Sequence, residues 1–200
     1  MKKYSTTSLN NIYWKKWWKE WPNFQYFQGE GNNLRPSGYL PDNHGNLIIN
    51  ALGLDSTKEV LDAGCGNGSL AKYISPIVKH ITGIDYSERM IEVATRNVEG
   101  YHNITLEKMD ITKLKFPENS FDAIYCMGVF EYLSTEKYPK VINAFQKIIK
   151  PGGFILVGDI IPCCERYLDK KVSMMNPDSW KIGSIINSDY EGRYHVLIKC

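Results

Sequence analysis

The chain has 200 residues, of which 43% are hydrophobic and 23% are charged, so it can bury the core of one ordinary globular domain. Its formal net charge of +2 is too small to indicate nucleic-acid binding by itself. No stretch approaches the roughly 20 apolar residues of a membrane-spanning helix, and the first residues lack the apolar core of a signal peptide. We expect a cytoplasmic protein without a membrane span.

The five cysteines favour a reduced protein over a disulfide framework. Cys65 and Cys126 lie within short apolar or glycine-rich segments, Cys163 and Cys164 are adjacent, and Cys200 is the last residue. None of them has the spacing of a zinc site, so we predict no bound metal. A redox role for Cys163 and Cys164 stays open.

Residues 1–42 differ in composition from residues 43–200, being aromatic and rich in Asn and Gly. Four tryptophans at helical spacing share one face of a predicted helix, namely Trp14, Trp17, Trp18 and Trp21. Three interpretations of this tryptophan face are open. It could pack against the main domain, line the binding site of a flat or cationic substrate, or contact a membrane surface. We interpret residues 1–42 as an N-terminal aromatic lid and residues 43–200 as the main domain.

From residue 43 onward, short apolar strands alternate with amphipathic helices. Strands are predicted at 59–63, 80–85, 104–109, 121–126 and 154–157, and helices at 44–52, 68–75, 87–98 and from 141 to Gly152-Gly153. Ser87 is the predicted N-cap of the third helix. Two last segments, 182–188 and 194–199, predict a terminal hairpin. The alternation predicts an α/β fold with a doubly wound, mostly parallel sheet.

A glycine-rich turn between the first strand and its helix is the most informative segment. It reads Val60-Leu61-Asp62-Ala63-Gly64-Cys65-Gly66-Asn67-Gly68. Glycine permits backbone torsions that a β-carbon would block, and it lets a ligand approach the main chain closely. Such turns serve dinucleotide and phosphate sites as well as other nucleoside sites, so the residues further along the chain decide its meaning.

Two further acids stand at the ends of the next two predicted strands. Asp85 comes 23 residues after Asp62, near the spacing of about 20 that places an acid at the tip of the next strand of a βαβ unit. A carboxylate there can accept both hydroxyls of a ribose. Asp110, at the end of the third strand, can accept from an adenine amino group. Together the three acids predict an adenosine pocket at the carboxyl edge of a parallel sheet.

From about residue 40 to 160 the chain resembles the class I S-adenosylmethionine-dependent methyltransferases. The resemblance rests on the glycine turn, Asp85-Tyr86-Ser87 with Met90, Met109-Asp110-Ile111, the segment 121–128, and Ile149-Lys150-Pro151-Gly152-Gly153. It implies a Rossmann-like, seven-stranded sheet whose last strand is antiparallel, here with an N-terminal helical lid. It also implies S-adenosylmethionine as cofactor, with S-adenosylhomocysteine as product.

The resemblance also implies a set of cofactor contacts. The main chain of Gly64 and Gly66 would face the methionine part of the cofactor, and Asp85 would hold the ribose. Tyr86 would lie beside the adenine, Asp110 and Ile111 at its edge, and Cys126 and Met127 under the sulfonium. The complete predicted set is Asp62, Gly64, Cys65, Gly66, Asp85, Tyr86, Met90, Asp110, Ile111, Cys126 and Met127.

Other nucleotide sites fit the glycine turn less well. A Gly-x-Gly-x-x-Gly dinucleotide turn would have glycine where Ser69 stands, and a kinase-type phosphate loop would end in Gly-Lys-Ser/Thr, which is absent. A degenerate nucleotide-binding module and a non-methylating relative remain as alternatives.

Four residues are candidates for catalysis. Glu131, after the fourth predicted strand, can orient a cationic or hydroxyl acceptor or take its proton. Asp159, at the end of the fifth strand, can contact substrate, and His44 and Tyr39 can face the cofactor carboxylate or act as a base. Plainer explanations are a solvated carboxylate for Glu131, a helix cap for Asp159, and ordinary packing or surface positions for the other two. Arg35 can pair with an acidic substrate or with the cofactor carboxylate.

Methyl transfer to oxygen or nitrogen of a small-molecule metabolite is the predicted function. An RNA or protein methyltransferase is the alternative, followed by a non-catalytic cofactor-binding module. Cys126-Met127-Gly128-Val129 stands where Asn/Asp-Pro-Pro-Tyr would favour methylation of bases or glutamine, and the small net charge argues against RNA. We therefore expect a small-molecule acceptor and no nucleic-acid partner.

Overall fold

A computed structural model describes residues 41–159, 180–187 and 193–199. Most of the predicted lid, residues 1–40 with Tyr39 and Arg35, lies outside these described residues, as do Cys163, Cys164 and Cys200. Within the described residues, no helix has both the length and the apolar character needed to cross a membrane.

A seven-stranded sheet occupies the centre of the fold, with its strands in the order β3-β2-β1-β4-β5-β7-β6. Their bounds are β1 Glu59–Ala63, β2 His80–Asp85, β3 Ile104–Lys108, β4 Phe121–Met127, β5 Ile149–Asp159, β6 Trp180–Asn187 and β7 Arg193–Lys199. Strands β1 to β5 are parallel, which confirms the α/β prediction, whereas β7 pairs antiparallel with β5 and β6. Since β1 lies between β2 and β4, its carboxyl end marks the point where the strand order reverses, where α/β sheets bind ligands.

Four helices cover the described part of the sheet. They are α1 Pro41–Leu52, α2 Ser69–Ile74, α3 Glu88–Asn97 and α4 Tyr138–Ile148. Helix α1 begins ahead of its predicted start at 44, because proline suits the first turn of a helix. The predicted N-cap of α3 is confirmed, since the Ser87 hydroxyl accepts a hydrogen bond from Met90 N at 3.3 Å.

Each face of the sheet packs against its own apolar core. Neighbouring residues of β1 belong to opposite cores, with Leu61 on the side of α4 and Val60 on the side of α1 and α2. This arrangement results from the alternation of side chains along a strand. The segments of β1 and β4 are almost continuously apolar because both of their faces are covered.

The predicted junction between α4 and β5 was wrong. We expected the helix to run to Gly152 and Gly153, but it ends at Ile148 and β5 begins at Ile149. Ile149 is fully buried and pairs with Phe121, after which the register shifts. Gly152 has φ 74° within this irregularity, and a β-carbon on Gly153 would come 2.9 Å from the Asp122 carbonyl oxygen. The two glycines therefore form a bulge inside the strand.

Candidate active site

The predicted acids converge on one edge of the sheet. Asp62 is the penultimate residue of β1, Asp85 ends β2, and Asp110 lies just beyond the end of β3. Met127 ends β4 at the same edge. The parallel strands thus bring these predicted site residues together, while their individual contacts with a cofactor stay predictions.

Five main-chain N–H groups of the glycine turn and of the residue after it already have acceptors within the protein. Gly64 N and Cys65 N both donate to Ile84 O at 2.8 Å, and Gly66 N donates to Asp85 Oδ2 at 3.0 Å. Within the turn, Gly68 N donates to Cys65 O at 2.9 Å and Ser69 N donates to Asn67 Oδ1 at 3.1 Å. Loops that bind phosphate instead present such N–H groups to the ligand. This turn is therefore a poor phosphate site, which argues against the dinucleotide alternative.

The three glycines of the turn are needed for three different reasons. All have positive φ, at 96° for Gly64, 52° for Gly66 and 77° for Gly68. A β-carbon on Gly64 would overlap the Val129 side chain, and one on Gly68 would lie 3.1 Å from the Ala94 β-carbon. Around Gly66 no described atom comes within 4 Å of that position. Of these three glycines, Gly66 alone therefore has open space on its β-carbon side.

Asp85 joins the glycine turn to the start of α3. Its Oδ2 atom accepts the N–H of Gly66 at 3.0 Å, and its Oδ1 atom accepts that of Ser87 at 2.8 Å. Burial raises the pKa of Asp85, and the two N–H donors partly offset this effect. Each carboxylate oxygen has a second lone pair, so Asp85 can still accept two ribose hydroxyls.

Asp62 is a buried acid that retains an unused acceptor. Its side chain is 2% exposed, and its Oδ2 atom has no hydrogen-bond partner among the described residues. Burial raises the pKa of Asp62 to about 8, the Tyr125 hydroxyl lowers it in part, and the charge of Asp85 adds to the rise. An unsatisfied buried carboxyl at this edge fits the ammonium group of an amino-acid cofactor.

The two cysteines of the predicted site are buried thiols, and neither is part of a disulfide. Burial, with the nearby Asp62 and Asp85, raises the pKa of the Cys65 thiol well above its usual range. Cys65 is therefore a neutral packing residue of the turn, with none of the thiolate character that a nucleophile needs.

Asp110 caps a short 3-10 turn, Ile111–Lys113. Its Oδ1 atom accepts from Thr112 N at 2.8 Å and from Thr112 Oγ1 at 2.7 Å. Burial raises the pKa of Asp110, but these hydrogen bonds outweigh it and leave the pKa below its usual range. The ionised carboxylate is thus available to accept from an adenine amino group.

The remaining predicted cofactor residues differ in accessibility. Tyr86 is 57% exposed beside the edge, which suits a ring that covers an adenine. Met90 and Ile111 are 3% and 7% exposed, so they pack behind the site.

A short segment after β4, residues 128–133, forms the other side of the edge; we call it the β4 ledge. Gly128 N donates to Gly158 O of β5 at 2.9 Å, and the Val129 side chain lies directly over Gly64. The Tyr138 hydroxyl of α4 donates to Phe130 O at 2.6 Å, and the centroids of the Tyr138 and Phe130 rings are 4.9 Å apart. The ledge is thus tied to β5, to the glycine turn and to α4.

The candidate catalytic residues fall on three elements. Glu131 lies within the 3-10 turn Phe130–Tyr132 of the ledge, and Asp159 ends β5 next to Gly158. The Gly128–Gly158 hydrogen bond places these two segments side by side. His44 lies in α1 and is 5% exposed, which favours the packing interpretation, and Tyr39 is outside the described residues.

Sequence analysis missed three residues that shape this edge. Tyr125 pairs with Asp62 across β1 and β4, Val129 fills the space above Gly64, and Tyr138 fixes the ledge. A tyrosine at a buried strand position was a usable signal for Tyr125, because its hydroxyl needs a polar partner. The other two depend on contacts that no local pattern reveals.

The fold and the arrangement of the glycine turn with the strand-end acids resemble those of the class I S-adenosylmethionine-dependent methyltransferases. Residues 60–153 match a protein family described as a methyltransferase domain, which agrees with the resemblance seen in the sequence motifs.

Curated relatives and solved structures agree with this class. The chain is 34% identical to the phosphoethanolamine N-methyltransferase of Plasmodium falciparum over 130 residues, which cover 64% of this chain and 48% of that protein. It is 30% identical to a demethylmenaquinone methyltransferase of Staphylococcus saprophyticus over 112 residues, 54% of this chain and 47% of that one. The chain thus spans about half the length of these curated relatives.

The N-methyltransferase NodS of Bradyrhizobium japonicum, solved with S-adenosylhomocysteine, shares the fold. Its TM-score is 0.72 at 17% identity, and the match covers 95% of this chain and 99% of that one.

Proposed function

We propose that this protein transfers the methyl group of S-adenosylmethionine to a nitrogen or oxygen atom of a small-molecule metabolite. The observation that carries the proposal is the glycine turn. Five of its N–H groups already have acceptors within the protein, Gly66 has open space on its β-carbon side, and Asp85 accepts from Gly66 N. A turn of this kind suits a nucleoside that carries no phosphate groups better than it suits a diphosphate.

The main role of this chain's residues would be to position the cofactor and the acceptor. When bound, S-adenosylmethionine supplies a methyl group that its sulfonium already activates. Asp85 would hold the ribose, Asp110 the adenine edge and Asp62 the ammonium group. The β4 ledge would then place the acceptor in line with the methyl group and exclude water, which is the main requirement of such a displacement.

Glu131 and Asp159 are the proposed acceptor-side residues. Their segments adjoin each other through the Gly128–Gly158 hydrogen bond, which supports a shared site beyond β4 and β5. A carboxylate there can orient an ammonium or hydroxyl acceptor and can remove its proton. We retain His44 and Tyr39 only as secondary candidates.

The relatives support a small acceptor. Their names specify phosphoethanolamine and demethylmenaquinone as substrates of those proteins. Among the acceptors to be tested, a primary amine comes first, because an acidic candidate, Glu131, lies on the ledge. Nucleic acid is not part of the proposal.

The proposal includes the full family architecture. The antiparallel pairing of β7 with β5 and β6 supports a complete seven-stranded sheet with an antiparallel last strand. Residues 1–42 would form the aromatic lid, closing over the acceptor. Deleting residues 1–30 should preserve weak cofactor binding and abolish turnover, and a fully active truncated protein would remove the lid from the proposal.

A reducing, cytoplasmic location is also proposed. The buried, reduced thiols of Cys65 and Cys126 support it, because oxidation would disturb the glycine turn and β4.

Transfer of a labelled methyl group tests the function. Purified protein is incubated with methyl-labelled S-adenosylmethionine and separate pools of small amines, hydroxylated aromatics, RNA and protein. We expect label in a small molecule, with phosphoethanolamine as the first single compound. Label only in RNA or protein would replace the small-molecule proposal by the macromolecular one.

A further inference from the structure

The buried Asp62 carboxyl has the Tyr125 hydroxyl beside it but lacks, among the described residues, the charged partners that would keep it ionised. Its Oδ2 atom has no hydrogen-bond partner, and no ion pair reaches Asp62 within the described part of the chain. An ionised carboxylate without such partners is strongly disfavoured in a dry interior.

Titratable groups surround Asp62 from several elements. Asp85 comes from β2, Cys65 from the glycine turn and Tyr125 from β4. Helix α1, whose Ile48 and Leu52 pack on the same face of the sheet, carries the buried His44 one turn before Ile48. The titratable side chains of α2 turn to other partners, since Lys72 lies over the Tyr101 ring and Tyr73 donates to Asn46.

Of the two neighbouring acids, Asp85 is the better place for negative charge. It accepts N–H groups from Gly66 and Ser87, and hydrogen bonds of this kind stabilise a carboxylate. Burial raises the pKa of both acids, that of Asp62 to about 8, and a charged Asp85 disfavours a second charge beside it. At neutral pH the pair therefore keeps its proton on Asp62.

We propose that Asp62 holds a proton in the ligand-free protein and releases it to solvent when the ammonium group of the cofactor binds beside it. The O–H bond of the acid breaks, its proton passes to water or buffer, and the remaining carboxylate accepts an N–H bond from the ammonium group. One cation enters the site and one proton leaves it. The inference rests on the proposed function, because it needs the cofactor.

The proposal makes the affinity for the cofactor depend on pH. If Asp62 is protonated before binding and ionised afterwards, binding at neutral pH releases close to one proton, because burial raises the pKa of Asp62 to about 8. Affinity should then rise about tenfold per pH unit below this pKa. A site that already held an ionised acid would show no such rise near neutral pH.

Calorimetric titration with S-adenosylhomocysteine at pH 7, in phosphate and in Tris buffer, counts the released protons, because the two buffers differ in ionisation enthalpy. The same titration with 5′-methylthioadenosine, which lacks the amino-acid tail, gives a control on the wild-type protein. Asp62→Asn removes the acid at nearly constant size. Asp55→Asn is the matched change at an exposed aspartate that precedes β1.

We expect about one proton released for S-adenosylhomocysteine with the wild type and with Asp55→Asn, and close to none with Asp62→Asn or with 5′-methylthioadenosine. Equal enthalpies in both buffers for the wild type would overturn the inference and leave the proposed function intact. Equal release with both ligands would also overturn it, as would unchanged release in Asp62→Asn. Failure of the wild type to bind S-adenosylhomocysteine would overturn the proposed function as well.

Discussion

The two halves of the sheet edge are built in different ways. At the ends of β1 and β2, local groups hold one another, since the glycine turn donates to Ile84 and Asp85 and Asp85 also accepts from Ser87. At the end of β4, the ledge depends on distant partners, namely Gly64, Gly158 and Tyr138. The first half, which we propose holds the cofactor, is thus held by local hydrogen bonds, whereas the second, which we propose holds the acceptor, takes its shape from packing; we call them the cofactor half and the acceptor half. This difference explains how one cofactor site can serve different acceptors.

Gly66→Val should produce the largest effect, because its side chain would enter the open space above the turn. We expect cofactor affinity to fall by about 100-fold or more, equivalent to roughly 3 kcal/mol. Gly53→Val is a closely matched control: Gly53 has φ 55° against 52° for Gly66, and no described atom lies near its β-carbon position either.

Gly53 lies between α1 and β1, at the opposite edge of the sheet. Both variants should lose similar stability in urea, while only Gly66→Val loses S-adenosylhomocysteine binding in calorimetry. Equal affinities in the two variants would show that the open space is not the cofactor site.

Glu131→Gln tests the chemistry of the acceptor half. If Glu131 takes a proton from the acceptor, turnover should fall by about 100-fold or more, with cofactor affinity little changed. Glu136→Gln, a change at an exposed acid a few residues further on, should leave turnover near the wild-type value. Steady-state rates of labelled methyl transfer measure both, and a twofold or smaller loss in Glu131→Gln would remove it from the mechanism.

The contact between Gly64 and Val129 joins the two halves. Gly64→Ala should lower the free energy of unfolding by about 2–4 kcal/mol, from overlap with Val129 and from the positive φ. Adding Val129→Ala removes the overlap but not the strain, so the double variant should recover part of the loss. Urea denaturation of both single variants and the double variant gives the coupling. Strictly additive losses would contradict a direct contact.

Asp85→Ala should weaken cofactor binding by about 1–3 kcal/mol, because ribose hydroxyls and the N–H groups of Gly66 and Ser87 lose their acceptor. Asp55→Ala, at an exposed turn, should bind S-adenosylhomocysteine like the wild type. Calorimetry measures the S-adenosylhomocysteine affinity of both variants, and an unchanged affinity in Asp85→Ala would contradict the assignment of Asp85 to the ribose.

Tyr138→Phe should have the smallest effect and the most selective one. Loss of the bond to Phe130 O costs about 1 kcal/mol of stability and loosens the ledge. We expect turnover to fall while S-adenosylhomocysteine affinity stays within twofold. If affinity fell as much as turnover, the ledge would belong to the cofactor half, and the contrast between the halves would disappear.

The cofactor half was predictable because its signals are local. From sequence spacing, a strand with Asp62 near its end, a glycine turn and an acid at the end of β2 predict that these residues meet at one edge of the sheet. The bulge at Gly152 was misread because the same breakers also end helices. Val129 and Tyr138 were missed because their roles depend on residues 64 and 130, which only the tertiary fold brings to them.

Titration of the wild-type protein with S-adenosylhomocysteine and, separately, with NAD⁺ most directly tests whether this edge binds a nucleoside thioether rather than a dinucleotide. The internally paired N–H groups of the turn and the open space beside Gly66 predict that S-adenosylhomocysteine binds and that NAD⁺ does not compete with it. Binding of NAD⁺ with equal or greater affinity, in competition with S-adenosylhomocysteine, would contradict this assignment of the sheet edge.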